Sequence, residues 1–102
     1  MASSKEYLSF VLDQLSLLGG ISYRAMMGEY ILYVQGRIFG GIYDDRLLVK
    51  PTAAACALMP DAPHEIPYPG GKAMLLVERI DEKEFLRELI GAMLPELPAS
   101  KR

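Results

Sequence analysis

A chain of 102 residues supports one hydrophobic core and not two, and with 51% apolar residues it folds instead of staying disordered. A net charge of −2 and a sequence pI of about 5.3 argue against direct nucleic-acid binding, which needs several phosphate contacts from clustered Lys and Arg. No apolar run reaches the ~20 residues of a membrane span, "MASSKEYLSF" lacks the basic-then-apolar layout of a secretory leader, and the one cysteine, Cys56, makes no internal disulfide; all three fit a cytoplasmic protein without a membrane partner.

Ser3-Ser4-Lys5-Glu6 reads as a capping box, with Ser3 as cap and Glu6 reaching back. Leu8, Val11, Leu12, Leu15 and Leu18 follow at helical spacing until Gly19-Gly20, so a first helix is predicted at about 4–18. Residues 21–50 are rich in Ile, Val, Tyr and Leu, which suit a pleated surface. Gln35-Gly36 and Asp44-Asp45 are turn pairs at hairpin spacing and Gly28 is a third break, which predicts four antiparallel strands at about 21–27, 30–34, 37–43 and 46–50. Thr52 caps a short helix over 53–59, ended by Pro60. "PDAPHEIPYPGGK", 60–72, is a loop, in which Glu65–Tyr68 can run beside the sheet only at an edge because of Pro67. "AMLLVE", 73–78, is a fifth strand. Asp81 caps the last helix, whose apolar face carries Phe85, Leu86, Leu89, Ile90, Met93 and Leu94, and "PELPASKR" frays. The order α-β-β-β-β-α-β-α predicts a single two-layer α+β domain over 1–102, a mainly antiparallel five-stranded sheet with helices on one face.

The turns predict a register. Closing hairpins at 35–36 and 44–45 set Val34 against Arg37, Leu32 against Phe39, Tyr43 against Arg46 and Phe39 against Lys50. A three-residue loop at 27–29 sets Met26 against Tyr30 and Arg24 against Leu32. One face then carries Ile21, Tyr23, Ala25, Met27, Ile31, Tyr33, Ile38, Gly40, Ile42, Leu47 and Val49, without a charge, for the helices to cover. The other carries Arg24, Tyr30, Leu32, Arg37, Phe39, Tyr43, Arg46 and Lys50, together with Ser22, Met26, Val34, Gly41 and Leu48. These eight named first are the candidate binding residues. A mixed Arg, Tyr, Phe and Leu surface matches the composition of protein interfaces, and a solvated sheet face with long basic side chains is the other reading.

Few residues carry reaction chemistry. His64 has no second His and no nearby Cys, so no zinc site is indicated. Cys56 among alanines reads as a buried or half-buried structural thiol, and Asp44-Asp45 as turn formers. "GRIFGG", 36–41, lacks phosphate-loop spacing; Gly40 and Gly41 relieve crowding at a bulge or under a close helix. Glu29 is expected to pair with Arg24 or Lys72. No nucleophile, base and oxyanion set assembles, so neither an enzyme nor a cofactor is expected.

"YRAMMGEYILYVQGRIFGGIYDDRLLVKP", 23–51, resembles the TfoX/Sxy N-terminal domain. That pattern is an Arg-x-Met-(Phe or Met)-Gly segment, an aromatic-rich strand, a turn glycine, a second strand and a strand ending in Lys. Arg24, Met26, Met27, Gly28, Tyr33, Gly36 and Lys50 occupy its positions, and "MLLV" before the final helix agrees. The resemblance implies a two-layer α+β domain and a bacterial cytoplasmic protein tied to regulation of natural competence. Members act with the transcription machinery through protein contacts more than by reading DNA. Full-length regulators carry a second, C-terminal domain, for which a chain ending at Arg102 has no room. No catalytic residues come with the family.

Three functions therefore compete: an interaction domain using the charged sheet face, as a homodimer or against a regulator; a small-ligand or catalytic domain with a pocket between the Pro-rich loop and the sheet, lined by His64, Glu65, Tyr68 and Cys56; and direct DNA binding, whose only asset is the four sheet cations.

Overall fold

The computed structural model describes residues 3–98. Ser4, not Ser3, caps the first helix: its Oγ accepts from the Tyr7 N–H at 3.0 Å. Helix α1 runs over Lys5–Gln14 and gives way to turns that still bury Leu15. Strands β1 (Ile21–Met26), β2 (Glu29–Val34), β3 (Arg37–Ile42) and β4 (Leu47–Val49) form the expected meander. After them come α2 (Ala53–Leu58), the two-residue edge strand β5 (His64–Glu65), β6 (Met74–Leu76) and α3 (Lys83–Met93). All pairings in the sheet are antiparallel, and its order is β1-β2-β3-β4-β6-β5. The fold is thus α+β as expected, with six strands in place of five.

Thr52 caps α2 as expected, its Oγ1 accepting from the Ala55 N–H at 3.1 Å, and the Glu96 carboxylate accepts from the Ala54 N–H at 2.9 Å. The last helix departs from the expected capping box. Asp81 does not cap it; Glu82 is the cap residue, makes no side-chain cap hydrogen bond, and binds Arg79 instead. At the C-terminus Leu94–Glu96 forms a 3-10 turn and Leu97 is buried, so this part of "PELPASKR" is packed; 99–102 lie outside the described residues.

Three two-residue turns join the meander, each with two left-handed residues: Met27 and Gly28 (φ 53° and 85°), Gln35 and Gly36 (51° and 79°), Asp44 and Asp45 (53° and 56°). Such turns match the right-handed twist of the flanking strands. The second and third were expected. The first replaces the three-residue loop at 27–29, so Met26 opposes Glu29 and Arg24 opposes Ile31. A second departure lies in β3. Tyr33 opposes Ile38 but Leu32 opposes Gly40, leaving Phe39 as the extra residue of a β-bulge.

Each departure is a slip of one residue, and a one-residue slip exchanges the faces of a strand. Strands β1 and β4 keep the predicted phase because the two slips cancel across them. Strand β2 and the first half of β3 are inverted. Leu32, Val34, Phe39, Ile42, Leu47 and Val49 enter the core, where they meet Leu8, Val11, Leu15, Leu86, Leu89 and Ile90 from the helices. Ile31, Tyr33 and Ile38 move to the face away from the helices, and Met27 stands in its turn at 97% exposure.

Gly40, next to the bulge, lies against β4 with no room for a side chain. A Cβ there would lie 2.1 Å from the Leu48 carbonyl oxygen and 2.9 Å from the Val49 Cα, both backbone atoms of β4. Gly40→Ala is therefore expected to destabilise the domain by about 3 kcal/mol and to lower Tm by more than about 10 °C. Gly91, in α3, has no atom within 4 Å of an added Cβ. Gly91→Ala is expected to change stability in the opposite sense, gaining about 0.5–1 kcal/mol. Thermal and urea denaturation of both variants checks the pair.

Candidate functional site

The helices cover one face of the sheet; the other is the open face. Alternation along the strands places Arg24, Met26, Ile31, Tyr33, Ile38 and Gly41 there, followed by Tyr43, Arg46, Leu48, Lys50, Met74 and Leu76. Four of the eight candidate binding residues, Arg24, Tyr43, Arg46 and Lys50, therefore share this face as expected. The other four do not. Leu32 and Phe39 are fully buried in the core, and Tyr30 packs partly buried against it, because the first turn and the bulge reverse their phase. Arg37 lies on the helical side at the end of the sheet. Its Nη1 donates to the carbonyl oxygens of Leu97 (3.1 Å) and Leu94 (3.4 Å), closing backbone acceptors beyond the end of α3.

The cations left on the open face differ in commitment. Arg46 is spent on structure: its Nε donates to the Tyr43 carbonyl at 3.2 Å and its Nη1 pairs with the Glu65 carboxylate, tying β5 to the β3–β4 turn. Arg24 and Lys50 make no ion pair among the described residues. Arg24 is exposed and Lys50 half-buried.

Glu29 pairs with neither Arg24 nor Lys72. Its Oε1 accepts from the Ser3 hydroxyl at 2.6 Å and from the Ser3 N–H at 3.0 Å, and its Oε2 accepts from the Asp44 N–H at 3.2 Å. Asp45 donates its own N–H to Ser3 Oγ at 3.0 Å and accepts from the Ser4 N–H at 2.9 Å. The Glu29 and Asp45 carboxylates thus accept from backbone N–H groups, clamping the chain start to the first and third turns. Both satisfy backbone donors. Among the described residues no group of His, Cys, Asp and Glu could hold a metal ion.

The Pro-rich loop folds over the open face and makes a groove of about 640 Å³. Met26, Ile31, Ile38 and Met74 form its floor, Pro67 and Tyr68 rise on the loop side, and Lys50 and Lys72 supply its charge. Among the described residues nothing acidic lines it. The groove lies where a pocket was expected, with a different lining: of the four residues named for it only Tyr68 takes part. His64 is an exposed edge-strand residue, Glu65 is held by Arg46, and Cys56 is exposed on α2, contrary to the expected buried thiol. The sequence reading missed Ile31, Ile38 and Met74 because it assigned the first two to the core and did not carry β6 into the face. Gly41 and Tyr43 shape the groove's end. The Tyr43 ring sits where a Cβ on Gly41 would be, at 2.7 Å, and lies 6.2 Å from the Tyr68 ring. Burial, then Tyr68 and Glu29 nearby, holds the Tyr43 phenol above the ordinary tyrosine value of 10.0.

Comparison with known proteins gives two matches. The model of the TfoX N-terminal domain matches residues 13–87. An uncharacterized 12.7 kDa protein in the trpE 5′ region of Spirochaeta aurantia is 32% identical over 102 residues, covering 99% of this chain and 89% of that relative. No solved structure matches. Among the described residues no helix is long and apolar enough to cross a membrane.

Two consequences are measurable. Glu29→Ala removes the acceptor of the Asp44 N–H and of the Ser3 hydroxyl, while the Ser3 N–H keeps the Gly28 carbonyl at 3.1 Å, and urea denaturation is expected to show a loss of about 1–2 kcal/mol, with Glu29→Gln losing roughly half of that. The raised Tyr43 pKa means that the folded state holds its proton more tightly than the unfolded state. Its contribution to stability is complete below pH 10.0 and is lost as pH rises through the folded value. Denaturation at stepped alkaline pH is expected to show the wild type losing stability that Tyr43→Phe retains.

Proposed function

This chain belongs to the TfoX N-terminal domain family, and from that membership we propose that it is a non-enzymatic, cytoplasmic regulatory domain of the competence-regulator type that works through protein–protein contacts of its open sheet face. The observation that carries the reading is the division of the sheet. Three helices bury one face, while the other keeps Arg24 and Lys50 without acidic partners among the described residues, beside apolar Met26, Ile31 and Ile38.

An apolar surface interleaved with uncommitted cations suits association better than catalysis. The apolar floor supplies area-dependent stabilisation on contact, and the cations select an acidic partner and speed encounter. The partner can be a component of the transcription machinery or a second copy of this chain; both bury the same face. The acidic net charge supports a protein partner over DNA.

Reversing Arg24 and Lys50 together to Glu is the test. The doubly reversed protein is expected to keep the wild-type Tm within about 3 °C, since surface changes rarely exceed 0.5 kcal/mol. It is expected to lose the partners captured by the wild type from its native cell, or to lose any dimer mass in light scattering. Unchanged capture and unchanged mass would remove the open face as the working surface.

A further inference from the structure

We propose that the groove over the open face receives an extended segment of a partner protein in which large apolar side chains alternate or abut with Asp and Glu. This rests on the contact reading above and names its partner's chemistry. The floor is four flexible or branched apolar side chains, Met26, Ile31, Ile38 and Met74, contributed by β1, β2, β3 and β6. A floor of this kind accepts apolar side chains of varied shape, since methionine adapts to what it meets. The Pro67–Tyr68 wall makes one long side and the strands continue beyond the other, so the space is a trough suited to a chain and not a closed cavity suited to a small molecule.

Charge decides the rest. Lys50 comes from the end of β4 and Lys72 from the loop, so two different elements bring cations to the same trough. Neither pairs with an acid among the described residues. Glu65 is engaged by Arg46, and Glu29 by Ser3 and the Asp44 N–H. Arg24, exposed in the row next to Ile31, adds a third cation along the same face. A segment with carboxylates therefore gains from both lysines, and a basic one meets repulsion.

The test uses a phage library of random peptides of about ten residues, long enough at ~3.3 Å each to cross a domain of 32 × 29 × 26 Å. Selection on the immobilised wild type is expected to enrich peptides combining Leu, Ile, Phe or Met with Asp or Glu. A synthesised winner is expected to shift the methyl NMR signals of Met26, Ile31, Ile38 and Met74, and to bind Lys50→Glu/Lys72→Glu at least about tenfold more weakly. Enrichment of neutral or basic peptides, no enrichment, shifts confined to other methyls, or undiminished binding to the double variant would each overturn the proposal. Failure here, with the Arg24 and Lys50 reversal still abolishing partner capture, leaves the open face as the contact surface and removes only the groove's occupant. Acidic-apolar peptides selected while that reversal leaves partner capture unchanged would overturn both, since Lys50 belongs to the groove as well as to the wider face.

Discussion

The structure turns on one backbone contact. At Gly40 the third strand approaches β4 so closely that a side chain would occupy the position of the Leu48 carbonyl. Beside it Phe39 stands as an extra residue opposite β2, and the bulge, with the tight turn at Met27-Gly28, sets which side chains of the meander face the helices. Each of Leu32, Val34 and Phe39 contributes about 1.5–3 kcal/mol when buried. An unbulged register would send that group out and bring Ile31, Tyr33 and Ile38 in. The helices present Leu8, Val11, Leu15, Leu86, Leu89 and Ile90 to the former set, and the packing of both layers follows from it.

The same phase governs the charges. Inverting β2 and half of β3 takes Arg37 off the open face and delivers it to the carbonyls beyond α3, where a cation serves as a cap. Arg24 and Lys50 stay together because the two slips between their strands cancel. The open face is left with fewer cations than a regular alternation would give it, and with more aliphatic surface: Ile31 and Ile38 now lie beside the basic residues instead of behind them. A charged surface has become an apolar trough lined by two lysines, which narrows the kind of partner it can hold.

The polar clamp at Glu29 supports this arrangement from the other end of the hairpins. It gathers the start of the chain and two turns through hydrogen bonds to a carboxylate, with no cation among the described residues involved. Turns of left-handed residues at Asp44-Asp45 leave backbone donors facing outward, and a fixed acceptor holds them. The β3–β4 hairpin is thereby fixed at its tip, and Tyr43, one residue before that tip, is fixed over Gly41, where it forms part of the groove.

Local chemistry was enough to determine much of this. Hydrophobic spacing marked the first and last helices, Thr52 and Pro60 the short one between them, and Gln35-Gly36 and Asp44-Asp45 their turns, because each signal lies within a few residues of what it specifies. Even the bulge left a trace in Gly40-Gly41, read as relief of crowding but not carried into the register. Whether an added residue counts toward one face or the other depends on what the neighbouring strand and the helices can accept, and Met27 carries no turn signal of its own. The sequence by itself therefore determined the elements, their order and the family likeness. Tertiary structure alone decided the facing of Leu32, Phe39, Ile31 and Ile38, since strand parity is a global count that a single residue reverses and only packing can settle.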